Sequence, residues 1–222
     1  MMQIPFEFDT RAANGREDFL VSEPNAEAVA WIDRWPDWPG PYLLLVGPGQ
    51  SGKSHLGQVW AKKSNAVTLQ ASDLQDLDIT ALNELTSQPL LLEDIGEGVD
   101  EQSLFHLYNL VKEKGSCVLM TSRTVVSEWE LTLPDLKSRM GAVQVVRIGE
   151  PDDMLFSSVL LKHFMDKQLQ VTPEVLQYLV SRLERSFEAA SKTVDDIDLL
   201  SLAQKRNITI PLVRSILEKK EE

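Results

Sequence analysis

Residues 44–56, LLVGPGQSGKSHL, constrain this chain more than any other stretch. The pattern G-x-x-x-x-G-K-S over Gly47 to Ser54 works in one context, a buried strand entering a loop that opens a helix. Tyr42 to Val46 is a short apolar run suited to that strand, and the residues through Lys62 suit the helix. Backbone N–H groups of Gly47, Pro48, Gly49, Gln50, Ser51 and Gly52 (all but the proline) can then face phosphate oxygens at a helix N-terminus. Lys53 reaches the β and γ oxygens, and Ser54 offers its hydroxyl to magnesium. Such loops serve kinases, motors, switches and regulators alike, so nucleotide binding leaves the function open.

The rest of the chain narrows it. Residues 90–94, LLLED, read as a buried strand delivering Glu93 and Asp94 at its C-terminal edge. One carboxylate can hold magnesium and the other can polarise water, with the roles open between them. Residues 101–114 predict a helix and 116–122 a strand ending in Thr121 and Ser122. Those hydroxyls suit either a γ-phosphate contact or a turn cap. LPDLKSRMGAVQVVRIGE, residues 133–150, places Arg139 near the end of a short helix, with a strand from Val143 to Val146. A lone arginine pairs with a local carboxylate, or in an assembly reaches a neighbour's γ-phosphate. Upstream, residues 25–35 carry apolar groups at helical spacing, stopped by Pro36, Pro39 and Pro41. Beyond Pro151 the periodicity is helical over 153–166, 173–184, 187–204 and 211–219, predicting a small helical domain over one side of the nucleotide. His55, His106 and His163 share no metal-binding spacing.

Composition sets outer bounds. A chain of 222 residues with 43% hydrophobic residues can bury a sizeable core in one or two domains. Its net charge of -12 opposes unaided attraction to DNA or an acidic membrane. Cys117 is the single cysteine and reads as a core residue of a reducing compartment. No apolar stretch approaches the roughly 20 residues that cross a bilayer, and the start has no leader pattern. A soluble, cytoplasmic protein is the expectation. The opening MMQIPFEF has two readings: a segment folded onto its own domain, or a linear peptide whose apolar anchors enter a partner's groove.

Taken together, GPGQSGKSHL, LLLEDIG, SLFHLYNLVKEKG before VLMTSR, LPDLKSRMG and TVDDIDLLSLAQKRNITIPLVRSIL carry a specific resemblance. Over residues 19–219 the chain resembles AAA+ proteins of the replication-initiator (DnaA) family, nearest its Hda-type regulatory branch. The resemblance implies an α/β fold with a parallel sheet over 19–150 and an all-helical lid over 151–222, after a peptide and linker at 1–18. It implies ADP or ATP with Mg2+ as cofactors. Gly47 to Ser54 take the Walker A role, Glu93 and Asp94 the Walker B role, and Thr121 and Ser122 the sensor I region. Arg139 takes the role of the trans-acting arginine finger. The lid arginine of the family falls on Glu188 here, with Arg185 one turn earlier and its role as a substitute open, and Glu93 stands where the family usually has Asp. Both departures imply weak intrinsic hydrolysis. QIPFEF is similar to the bacterial clamp-binding motif, with Gln3, Ile4, Phe6 and Phe8 as contacts. The implied partners are the polymerase sliding clamp (its β subunit), the ATP-bound initiator, a second copy in a homodimer, and DNA reached through the clamp, with no membrane. Ending at Glu222, where an initiator continues into a DNA reader, the chain reads as a regulator that stimulates hydrolysis of initiator-bound ATP. It would act in the bacterial cytoplasm, near the nucleoid through its partners. An adaptor recruiting DNA or a helicase is the alternative; a small-molecule kinase leaves Arg139 and QIPFEF without a role.

Overall fold

The computed structural model describes residues 19–204 and 206–218. Its centre is a parallel sheet of five strands: β1 (Tyr42–Val46), β2 (Val67–Gln70), β3 (Leu90–Glu93), β4 (Val118–Ser122) and β5 (Gln144–Arg147), in the order β2-β3-β4-β1-β5. Strands β1, β3 and β4 are buried along their whole length, which is why they read as continuous apolar runs. Alternation sorts their side chains onto two faces. Leu44, Leu90, Leu92, Val118 and Met120 meet α4 (Glu101–Lys114) and α5 (Pro134–Gly141). Leu43, Leu45, Leu91 and Leu119 meet α1 (Glu23–Arg34) and α2 (Lys53–Ser64), where Trp60 is fully buried.

Strand β2 and the short α3 (Ile79–Leu85) stand outside the sequence expectations. The strand, VTLQ, is a half-exposed edge with no apolar run, and the helix has only seven residues, begun by Asp78 accepting from the Ala81 N–H. Cys117 is only partly buried, against the α1–α2 side of the sheet.

The remaining helices are α6 (Asp153–Asp166), α7 (Pro173–Val180), α8 (Phe187–Gln204) and α9 (Ile210–Glu218). They share a separate core of Phe156, Leu160, Phe164, Leu179, Val194 and Val213, among others. Helix α7 stops at Val180, short of the 184 that periodicity predicts. Residues 148–152 join the two bodies. The architecture is a sheet-and-helix domain followed by a helical lid. Gln3, Ile4, Phe6 and Phe8, with the whole segment 1–18, lie outside the described residues.

Candidate nucleotide site

In parallel sheets, ligands bind beyond the C-terminal strand ends, where the strand order reverses. Insertion of β4 between β1 and β3 brings three such ends together. Val46 is in register with Ser122 on one side and Arg147 on the other. The Gly47 N–H donates to the Ser122 carbonyl at 3.2 Å, fixing where the loop leaves the sheet.

The loop depends on its glycines. Gly52 has φ 89°, a left-handed conformation, and a Cβ there would stand 2.7 Å from the Phe19 ring. A Cβ on Gly47 would lie 3.0 Å from Ile148 and from Ser51 Oγ. Lys53, nearly buried, donates from Nζ to the Gly47 and Pro48 carbonyls at 2.8 and 2.7 Å. Burial lowers its pKa, Asp94 opposes that shift, and Arg123 adds to it. Ser51 Oγ is buried with no partner, a polar atom turned into the loop. Ser54 is exposed at the first turn of α2.

The two strand-end carboxylates differ sharply. Glu93 is 7% exposed; its Oε2 accepts from Gln70 Nε2 at 3.4 Å while Oε1 is buried without a partner. Asp94 is exposed and has φ 54°, an unfavourable conformation for a side-chain-bearing residue, costing roughly 1 kcal/mol. Its N–H donates to Thr121 Oγ1 at 3.1 Å. A buried orphan carboxylate oxygen on Glu93, the adjacent exposed Asp94, whose charge acts on Lys53, and the exposed Ser54 that follows Lys53 supply the hard oxygen donors that magnesium takes. The donor set fits Mg2+, with Glu93, Asp94 and Ser54 as its candidate holders. Glu93→Gln keeps the side chain's size while removing the carboxylate, and is expected to leave thermal stability in metal-free buffer within about 1 kcal/mol of wild type. The same variant should lose the extra stabilisation that magnesium adds to bound nucleotide. Differential scanning fluorimetry with ADP, with and without Mg2+, reads both effects.

Thr121 and Ser122 are fully buried. Thr121 accepts from Asp94, while Ser122 Oγ donates to the Thr124 carbonyl at 2.8 Å and accepts from its N–H at 3.2 Å. Ser122 thus closes its own turn, while Thr121 receives the N–H that follows β3. The residue after them was missed. The Arg123 guanidinium (Cζ and Nη1) lies 4.0 Å from where a Cβ on Gly49 would sit. A basic residue directly after a strand flanking the loop strand was the available signal.

On the lid side a cleft of about 940 Å³ separates Pro48 and Gly49 from the lid, where Arg182, Glu188, Lys192 and Arg214 line it. Glu188 does face the loop across this cleft. Arg185 does not line it; its Nε donates to Asp153 Oδ1 at the start of α6, which holds the Asp153 carboxyl below its usual range. Lys192, one turn beyond Glu188, lines the cleft where Arg185 does not.

Arg139 sits elsewhere. Its guanidinium lies over the Phe105 ring at 4.6 Å and the Tyr108 ring at 5.7 Å, and Nη1 donates to Asn109 Oδ1. Tyr108 stacks on Tyr42 at 4.1 Å, and Tyr42 is the first residue of β1. The loop begins after the last residue of that strand, roughly 16 Å further along at about 3.3 Å per residue. Arg139 is therefore at the opposite end of the sheet from this chain's own phosphate loop.

This strand order, the loop and its strand-end carboxylates, and the following helical lid make an AAA+-like fold with a candidate nucleotide site. Residues 154–217 match the family described as Hda, lid domain. Domain III of the Thermotoga maritima replication initiation protein DnaA superposes with a TM-score of 0.75 at 17% identity, over 94% of this chain and 97% of that one. AMPPCP-bound DnaA from Aquifex aeolicus gives 0.65 at 20% identity, over 82% of this chain and 64% of that one. The chain thus spans less than two thirds of that initiator. An uncharacterised protein of Haemophilus influenzae is 28% identical over 192 residues, covering 82% of this chain and 83% of its own. The chain is thus similar to the Hda lid family over its helical lid and shares its fold with the solved DnaA structures. Among the described residues no helix is long and apolar enough to cross a membrane.

Proposed function

We propose that this chain is a clamp-tethered regulator that promotes hydrolysis of ATP held by a replication initiator. The observation that carries the reading is the placement of Arg139 at the sheet end away from its own loop, backed by Phe105, Tyr108 and Asn109. A guanidinium so placed acts on a phosphate only if another molecule brings one to it. Likeness to DnaA and to the Hda lid supports an initiator as that other molecule.

Each part then has a separate task. Gly47 to Ser54 hold this chain's own nucleotide, ADP or ATP, between the sheet and the lid. Magnesium, when bound, neutralises phosphate charge beside Glu93 and Asp94. Arg139 donates to the terminal phosphate in the partner's site and stabilises charge that develops as its P–O bond breaks. The attacking water belongs to the partner's site. Gln3, Ile4, Phe6 and Phe8 dock on the clamp, which concentrates the regulator where the initiator works. The reading is tested by single-turnover hydrolysis of initiator-bound ATP, with this chain and DNA-loaded clamp added separately and together. Stimulation only when both are present is expected; no stimulation in the complete mixture would falsify the reading.

The peptide has its own test. Replacing Phe6 and Phe8 with alanine should weaken clamp binding by at least about tenfold, since each fully buried aromatic contributes roughly 1.5–3 kcal/mol. Surface plasmon resonance measures the clamp affinity and calorimetry the nucleotide affinity, which should not change. Intact clamp binding with weakened nucleotide binding would instead place the segment against its own domain.

A further inference from the structure

The sheet ends at β5, and nothing in the nucleotide site uses that edge. Among the described residues β5 pairs only with β1, so its outer N–H and C=O groups are open to another strand. A groove of about 480 Å³ is lined by Val145 and Arg147 of this strand. Val125, Val126 and Met140 join Val145 in an apolar wall, continuous with the core on the α4–α5 face of the sheet. Glu27 of α1 and Arg147 make the charged rim, and among the described residues neither forms an ion pair within 4.0 Å. The chain's own opening segment has the pattern for such an edge. In QIPFEF, Ile4, Phe6 and Phe8 recur at every second residue, so a strand over 3–8 turns all three to one side. Pro5 belongs to the alternate set and can turn its missing N–H outward, as an edge strand allows. Glu7 and Asp9, on either side of Phe8, offer carboxylates to Arg147.

Reach and topology agree. The described chain begins at Phe19, and the Pro24 carbonyl accepts from the Gly149 N–H at 2.9 Å, just past the end of β5. Residues 9–18 can span about 33 Å, ample for the return from that edge to Phe19. A strand parallel to β5 there connects to β1 through α1. That path crosses the sheet in the same direction, and over the same face, as the path from β1 through α2 to β2. The two crossovers share one hand, as parallel connections almost always do. We propose that residues 3–8 add to the sheet as a sixth strand beside β5, with Ile4, Phe6 and Phe8 in the groove, and that this docked form withholds the peptide from the clamp. The docking stands on the edge, the groove and the reach; its competition with the clamp rests on the clamp reading of the same residues. The two readings of MMQIPFEF are then two positions of one segment.

The test is hydrogen–deuterium exchange by mass spectrometry on the full chain, free of clamp and nucleotide, paired with clamp affinity by surface plasmon resonance. Replacing Phe6 and Phe8 with alanine is expected to speed exchange over 143–147 about tenfold, the protection lost when a segment docked about 90% of the time is released. Val126→Lys puts a charge in the groove and should speed the same amides equally. The two variants then part at the clamp. Val126→Lys should bind it up to about tenfold more tightly, because every copy now presents the peptide, whereas the alanine variant binds more weakly. Equal exchange over 143–147 in wild type and the alanine variant overturns the docking. That comparison alters none of the described residues, so it decides even where Val126→Lys fails to fold. Faster exchange in Val126→Lys with unchanged clamp affinity overturns the competition. A wild-type chain that does not bind clamp overturns the clamp reading, while exchange over 143–147 still decides the docking.

Discussion

Arg139→Ala should bind nucleotide and DNA-loaded clamp as the wild type does, yet lose about a thousandfold of the stimulated hydrolysis, the lower range for a trans-acting arginine. The effect belongs to the hydrolytic step because the guanidinium meets charge that develops in the transition state. Its separation from the loop protects this chain's own nucleotide affinity. Its packing costs something: the contacts with Phe105, Tyr108 and Asn109 are lost with it. A half-exposed cation–π contact is worth about 0.5–1 kcal/mol, so a small drop in Tm is expected without unfolding. Arg139→Lys keeps charge but loses the planar fork, and should recover only part of the stimulation. Single-turnover conversion of labelled ATP on the initiator separates these cases. Near wild-type stimulation by a folded, clamp-binding Arg139→Ala would remove the trans role.

The parts legible in the sequence were those where one local pattern meets one physical demand. Tyr42 to Val46 is apolar because both sheet faces are covered, and the glycines after it follow from a backbone that must turn left-handed at Gly52. Helices α4, α6 and α8 run to the residues that periodicity gave. Strand β2 was not legible because an edge strand needs no apolar run, and its pairing with β3 is decided across 23 residues. The site divided the same way. Lys53 and Glu93 announce themselves by position after a glycine loop or an apolar strand. Whether Arg185, just ahead of α8, or Lys192 within it faces the cleft depends on how that segment is set against the loop, and Asp153 at the start of α6 takes Arg185. Arg123 matters through its approach to Gly49, a contact across 74 residues that no local spacing encodes.

The loop lysine carries the second large effect. Lys53→Ala is expected to weaken ADP and ATP at least about tenfold, since a charge-assisted contact to phosphate is worth roughly 1.5–3 kcal/mol. Two carbonyls, on Gly47 and Pro48, also lose the donor that holds them. Titration adds a sign that truncation alone lacks. Burial first, and Arg123 with it, places the pKa of Lys53 below that of an unfolded lysine, with Asp94 opposing. Between those two values the unfolded chain holds more protons, so the stability contributed by this group rises with pH in the nucleotide-free protein. Nucleotide reverses the trend, because phosphate favours the charged ammonium and bound protein therefore takes up protons. Affinity should fall as pH rises through the lowered pKa, whereas Lys53→Arg, which stays charged, should show a flatter profile. Calorimetry in buffers of different ionisation enthalpy, from neutral to alkaline pH, measures the affinity and the proton uptake together. Wild-type affinity that is flat with pH, alongside an unchanged Lys53→Ala, would place the phosphate away from Lys53.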